Sequence, residues 1–239
     1  MTKIETRAAT ILGLCLLVGF LGLGWLVGSA ALKVKALDRT VVVKGLAERE
    51  VPADIAIWPL GFYEANQNLT ALYEDIQSKN GIIIAFLTEH GIDPDTVTIN
   101  PPAVTDRHAQ AYGNIDRSQP RYSASSTVTV YSEDVVAVRN AMASAIDLGK
   151  RGIALADSGY GSSPEFLFSG LNTIKPEMVE EATRNAREVA EKFAQDSSSR
   201  LGKIKSARQG QFSIQNRDST TPHLKKVRVV STVQYYLDD

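Results

Sequence analysis

The sequence is poor in the residues that perform covalent and metal chemistry. Cysteine occurs once and histidine three times in 239 residues. The single Cys15 lies inside an apolar run, so no intramolecular disulfide holds the chain together. His90, His108 and His223 are far apart, and no pair of them shows i,i+4 or turn spacing with a carboxylate or thiol partner. No metal site is therefore expected. His108 is the one to watch, because Asp106, Arg107, Asp116 and Arg117 make its loop polar and charged. An excess of one charge is missing too. Lys and Arg number 26 against 27 Asp and Glu, a net charge of −1. That balance gives a nucleic-acid partner no electrostatic support.

Catalytic motifs are equally scarce. Residues 159–163 read Gly-Tyr-Gly-Ser-Ser, which lacks the G-x-S-x-G order of a nucleophile elbow. No Gly-Lys-Ser/Thr follows those glycines, so they do not form a phosphate loop. A turn between two short strands accounts for them. The charges of residues 177–192, with Glu188 and Lys192 at i,i+4, read as the solvated face of an amphipathic helix. No catalytic residue, cofactor site or metal site is expected, and the chain reads as a non-enzyme.

What the sequence does have is residues 8–32, an apolar run without a charge. At about 1.5 Å per residue its roughly 25 residues make a helix of about 37 Å, enough to cross a hydrocarbon core of about 30 Å. A cleaved signal peptide is the competing reading, with Lys3 and Arg7 as its basic end and residues 28–31 as a small-residue cleavage site. The run is much longer than the usual ~7–15-residue signal core, which favours an uncleaved signal anchor. Basic residues flank it on both sides, so the positive-inside count does not choose a direction. A seven-residue head before one long domain suits an N-terminus in the cytoplasm with the domain outside. Gly24 and Gly28 form a GxxxG, through which two such helices pack closely. The competing reading is that glycine is simply common in membrane helices.

After a stalk at 33–39, the periodicity predicts an α+β domain over 40–239. Strands are expected at 40–47 and 55–63, with a turn at 51–54 and Pro59 marking an edge or bulge. A helix follows over 66–90, interrupted at Asn80-Gly81 and stopped at Gly91, then a strand over 96–105 and an exposed loop over 106–120. The strand 122–132 leads into one helix over 133–148, which Gly149 and Gly152 end. Short strands at 153–158 and 165–169 precede a long helix over 175–201, closed by Gly202. Strands at 203–216 and 225–237, joined by a polar loop, complete the chain. Residues 126–134 align with 231–239, which suggests duplicated β-β-α-β-β units (40–132 and 133–239) joined by the helix 133–148.

Three stretches resemble the SIMPL-domain family: residues 180–194 (EEATRNAREVAEKFA), 201–204 (LGKI) and 227–233 (VRVVSTV). Val43-Lys44-Gly45-Leu46-Ala47-Glu48 with Val51-Pro52-Ala53-Asp54 is similar to the family's G-x-(G/A)…V-x-P-D opening, with Ala53 standing between proline and aspartate. The resemblance runs from about residue 40 to the C-terminus. It implies a bacterial envelope protein of the kind exported to the periplasm. Some members are linked to oxidative-stress defence, and a related immunogenic envelope protein forms large ring- or channel-like oligomers. It implies no catalytic residues. The expectation is a single-pass inner-membrane protein, held in the lipid bilayer through residues 8–32, with its C-terminal domain in the periplasm. The partner expected is a second copy of the chain, in a large homo-oligomer of ring, cage or channel form. The alternative is a ligand-binding or stress-protective periplasmic module.

Overall fold

The computed structural model describes residues 3–36, 39–109, 118–156 and 163–238, with side chains of the first helix described over 12–32. The chain runs α1 (Lys3–Ala36), β1 (Thr40–Pro52), β2 (Ile55–Asn66), α2 (Leu69–Glu89), β3 (Val97–Ile99), β4 (Ala103–Asp106) and β5 (Tyr122–Ser132). It continues through α3 (Val135–Ala143), α4 (Ile146–Lys150), β6 (Glu165–Leu167), α5 (Leu171–Asp196), β7 (Arg200–Gln209), β8 (Ser213–Asn216) and β9 (Leu224–Asp238). The class is α+β with two antiparallel sheets and one N-terminal apolar helix.

Contacts divide the chain into two compact units, each built from separated segments. One comprises Met1–Glu48, Pro176–Phe212 and Arg228–Asp239, and the other Arg49–Lys175 and Ser213–Val227. The first sheet has the order β1-β9-β7, with β8 also paired to β9. The second has the order β3-β5-β2-β6, with β4 also paired to β5.

In the first unit a helix lies on a sheet through very small side chains. Met178, Ala182, Ala186, Ala190 and Ala194 recur every fourth residue of α5, and all are buried. On β1 the buried positions include Val43, Gly45 and Ala47, and on β9 Val229, Ser231, Val233 and Tyr235. A Cβ at Gly45 would stand 1.8 Å from the Ala182 carbonyl oxygen and 2.4 Å from the Ala186 nitrogen. Only glycine lets β1 and the α5 backbone come this close. The Asn185 side-chain amide also donates to the Leu46 carbonyl oxygen at 2.8 Å.

The second unit is built around Trp58, Leu60 and Phe62 of β2, Val128 and Val130 of β5, and Leu72, Ile76, Ile83, Phe86 and Leu87 of α2. Even-numbered residues of both strands face this core, as period-2 geometry requires. β2 pairs with β5 along its length, from Ala56 opposite Ser132 to Asn66 opposite Tyr122. Pro59 sits where the other side of β2 is open: among the described residues β6 covers only Ile55–Ile57, and the next bridge joins Phe62 to Leu155.

Several expected boundaries move. α2 runs unbroken through Asn80-Gly81, because Asn80 is buried and accepts a hydrogen bond from the Ser126 hydroxyl at 3.3 Å. The expected strand over 96–105 is two strands, split at Asn100-Pro101-Pro102, where proline cannot donate to the ladder. The helix expected over 133–148 is two helices, divided between Ala143 and Ile146. Residues 153–158 contribute only the Leu155 bridge among those described, and residues 159–162 of the expected turn lie outside the described residues. So do residues 110–117 of the expected loop. The long helix begins at Leu171, carries Pro176 inside it and ends at Asp196. Gly202 does not close it but lies in β7, its Cβ position 3.1 Å from the Tyr236 carbonyl oxygen.

Three helix ends share one hydrogen-bond pattern, the Schellman motif. Ile92, Ile153 and Ser199 donate backbone N–H to the carbonyls of Leu87, Leu148 and Ala194. The residue before each is left-handed: Gly91 at φ 80°, Gly152 at φ 84° and Ser198 at φ 53°. Two of these stops were expected at Gly91 and Gly152; at the third a serine takes the glycine's place.

Candidate functional site

Leu12–Leu32 of α1 is a 21-residue segment of mean hydropathy 2.0, with none of it buried. By length and composition it is able to cross a bilayer, at about 31 Å of helix. No heavy atom lies within 4 Å of a Cβ position at Gly13, Gly19, Gly22, Gly24 or Gly28. Gly24 and Gly28 therefore leave an open notch beside the exposed Trp25. Ser29 donates its hydroxyl to the Leu26 carbonyl oxygen at 2.9 Å, which satisfies this polar group inside an apolar stretch.

The three histidines stay separate and each serves a local contact. His90 caps α2, with Nδ1 2.8 Å from the Phe86 carbonyl oxygen and its ring 4.4 Å from the Phe86 ring. His108 donates its backbone N–H to Asp106 at 2.9 Å. His223 stands edge-on to Phe166, with centroids 6.1 Å apart. Burial, then the charges of Arg139 and Arg217, push its pKa down against an upward pull from Asp218. The folded state thus prefers the neutral ring. Its contribution to stability is complete above the ordinary histidine range and falls as pH drops through it. Among the described residues no three His, Cys, Asp or Glu side chains converge to hold a metal ion.

An ion pair joins the described ends of the polar loop that includes His108. Arg121 donates from Nε and Nη2 to both carboxylate oxygens of Asp106, the shortest contact being 2.8 Å. Arg121 holds the Asp106 carboxyl below its usual range. Arg107 donates to Gln119 Oε1 at 2.6 Å and to the Ser123 hydroxyl at 3.4 Å. Arg107 and Ser123 line a hollow of about 470 Å³ on the second sheet, with Tyr63, Ala65, Ala103, Thr105 and Ser125. Glu64 also lines it, and its buried Oε2 pairs with the Lys79 ammonium.

Two charged residues, Asp54 and Lys225, carry structural roles that spacing did not reveal. The Asp54 carboxylate accepts the backbone N–H and hydroxyl of Ser169, at 2.8 Å each, and the N–H of Gly170 at 3.1 Å. It thereby satisfies donors just ahead of Leu171, where α5 begins, as an N-cap does, from a distant part of the sequence. Lys225 is buried, and its ammonium donates to Asn216 Oδ1. Burial pushes its pKa down, while Glu165 pulls it up. In both cases the signal was only a charged residue next to a strand end.

Residues 41–235 match the model of one family, SIMPL, described as a protein of unknown function (DUF541). No curated protein matches the chain.

Proposed function

The chain belongs to the SIMPL family, and on that premise we propose that it is a membrane-anchored bacterial envelope protein with a structural rather than a catalytic task. Residues 8–32 hold it in the inner membrane, the N-terminus is cytoplasmic and the C-terminal domain lies in the periplasm. Many copies assemble there into a large homo-oligomer. The observation that carries this reading is Leu12–Leu32: an apolar helix with no residue buried against its own domain, whose exposed side chains need a non-aqueous partner. His90 supports a non-catalytic reading, since its ring is engaged in capping α2.

In place of the expected β-β-α-β-β halves 40–132 and 133–239, we infer that the two units are copies of one β-α-β-β pattern. Aligning residues 126–134 with 231–239 sets β5 against β9, and each is the inner strand of its sheet. The order β2-α2-β3/β4-β5 then matches β1-α5-β7-β9, with one copy inserted in sequence between β1 and α5.

Native mass measurement of the detergent-extracted chain, with and without residues 1–35, tests assembly. The expected result is a large, discrete subunit number that survives removal of the helix. A monodisperse monomer at micromolar concentration overturns it.

A further inference from the structure

One face of the second sheet is almost free of charge. The odd-numbered positions of β2, from Ile55 to Ala65, and of β5, from Ser123 to Tyr131, point away from the core. The register places Thr98, Ala103 and Thr105 of β3 and β4, and Glu165 and Leu167 of β6, on the same side. Glu165 is the only charged side chain at these described strand positions, in a protein whose composition is 22% charged. The centre is flat and small: the buried Gly61 lies opposite Thr127, and Pro59 opposite Thr129, with Thr127, Pro59 and Thr129 half-buried. Two tyrosines rise from it, Tyr63 at 61% and Tyr131 at 49% exposure.

The face carries both a knob and a hollow to receive it. Tyr131 lies six residues from Ser125 along β5, about 20 Å away. Ser125 lines the hollow of about 470 Å³, together with Tyr63, Ala103 and, at its edge, the charged Glu64 and Arg107. A two-fold axis between facing sheets, perpendicular to β5 at Thr127–Thr129, would bring Tyr131 of each copy over the hollow of the other. Such an interface is isologous, with the same patch serving both sides. β2 and β5 run side by side for about 33 Å, but β3 and β4 add only three and four residues and β6 three, so the face covers about 500 Å². Two copies would therefore bury about 1,000 Å², the least that a biological interface should clear. Few charges repel across the pair: Glu165 lies on β6, and Arg107 at the hollow is held by Gln119 and Ser123.

We propose that this face of β2 and β5 stacks on the same face of a second copy, with Tyr131 seated in the partner hollow. The inference rests on the self-assembly proposed above and names one of its contacts. The test is native mass of the full-length chain in detergent, comparing the unaltered protein with Thr127→Arg, Ser125→Arg and Tyr131→Ala. Thr127→Arg puts two cations at the axis, Ser125→Arg fills the hollow and Tyr131→Ala removes the knob. The expected result is a subunit number cut by a factor of two, with an unchanged circular-dichroism spectrum showing that the variants are folded. If an arginine variant fails to fold, Tyr131→Ala, which only trims an exposed ring, decides. An oligomer whose subunit number no variant changes overturns this inference, leaves self-assembly standing and assigns the face to another occupant. A monomeric unaltered protein overturns both.

Discussion

Gly45 shows how a single missing side chain sets the geometry of a unit. Its Cβ position is 1.8 Å from a backbone oxygen of α5, a contact that no rotamer change relieves. Gly45→Ala must push α5 off β1 and break the packing of Ala182 and Ala186, and overpacking of a tight core costs about 1–3 kcal/mol. With backbone as the obstacle, the expected loss is at the upper end, about 3 kcal/mol, read from the denaturant midpoint at constant m-value. The G-x-A spacing was visible in the sequence at Gly45 and Ala47. Its cause was not, because the atoms that forbid a side chain come from residues more than 130 positions away. The Asp54 cap was hidden for the same reason: its partners Ser169 and Gly170 are 115 and 116 residues distant.

At the scale of elements, periodicity located most strands and helices but misplaced their ends. α2 is the clearest case, since Asn80-Gly81 reads as a break and the helix passes through it. The buried contact between Asn80 and Ser126 and the apolar positions on either side outweigh the poor propensity of glycine. Nothing lies within 4 Å of a Cβ at Gly81, and its φ is helical rather than left-handed. Gly81→Ala should therefore stabilise the protein by about 0.5–1 kcal/mol, through lower unfolded-state entropy, and raise the melting midpoint. A fall in that midpoint would mean that the surface of α2 at Gly81 is occupied. The end of α5 makes the complementary point. Gly202 looked like the terminator, yet Ser198 takes the left-handed position and Gly202 goes to the sheet. Residue type marks candidates for a stop, and the pairing of β7 with β9 selects among them.

At the scale of the whole molecule, the proposed anchor and the domain behind it set a direction across the bilayer that labelling can read. Lys3 and Lys203 stand before and after the span, and Cys15 is the only native thiol. In a Cys15→Ser background, Lys203→Cys should react with a membrane-impermeant maleimide in intact spheroplasts. Lys3→Cys should react only after lysis. The reverse pattern would place the domain in the cytoplasm and sink the proposed topology.

The sequence by itself determined the existence and place of the apolar helix, the α+β class, the SIMPL resemblance and the alternation of buried and exposed strand positions. All of these depend on residue composition and short-range period, which a linear chain displays directly. Tertiary structure decided which segments share a unit, where Gly45 meets α5, how Asp54 caps a distant helix and which small residues gather on one uncharged sheet face. Those features depend on strand pairing between residues far apart in sequence, and pairing is settled only when the sheets form. The helix over 8–32 could be read at once as a place for the protein to sit. The uncharged sheet face appears only once β2 lies beside β5.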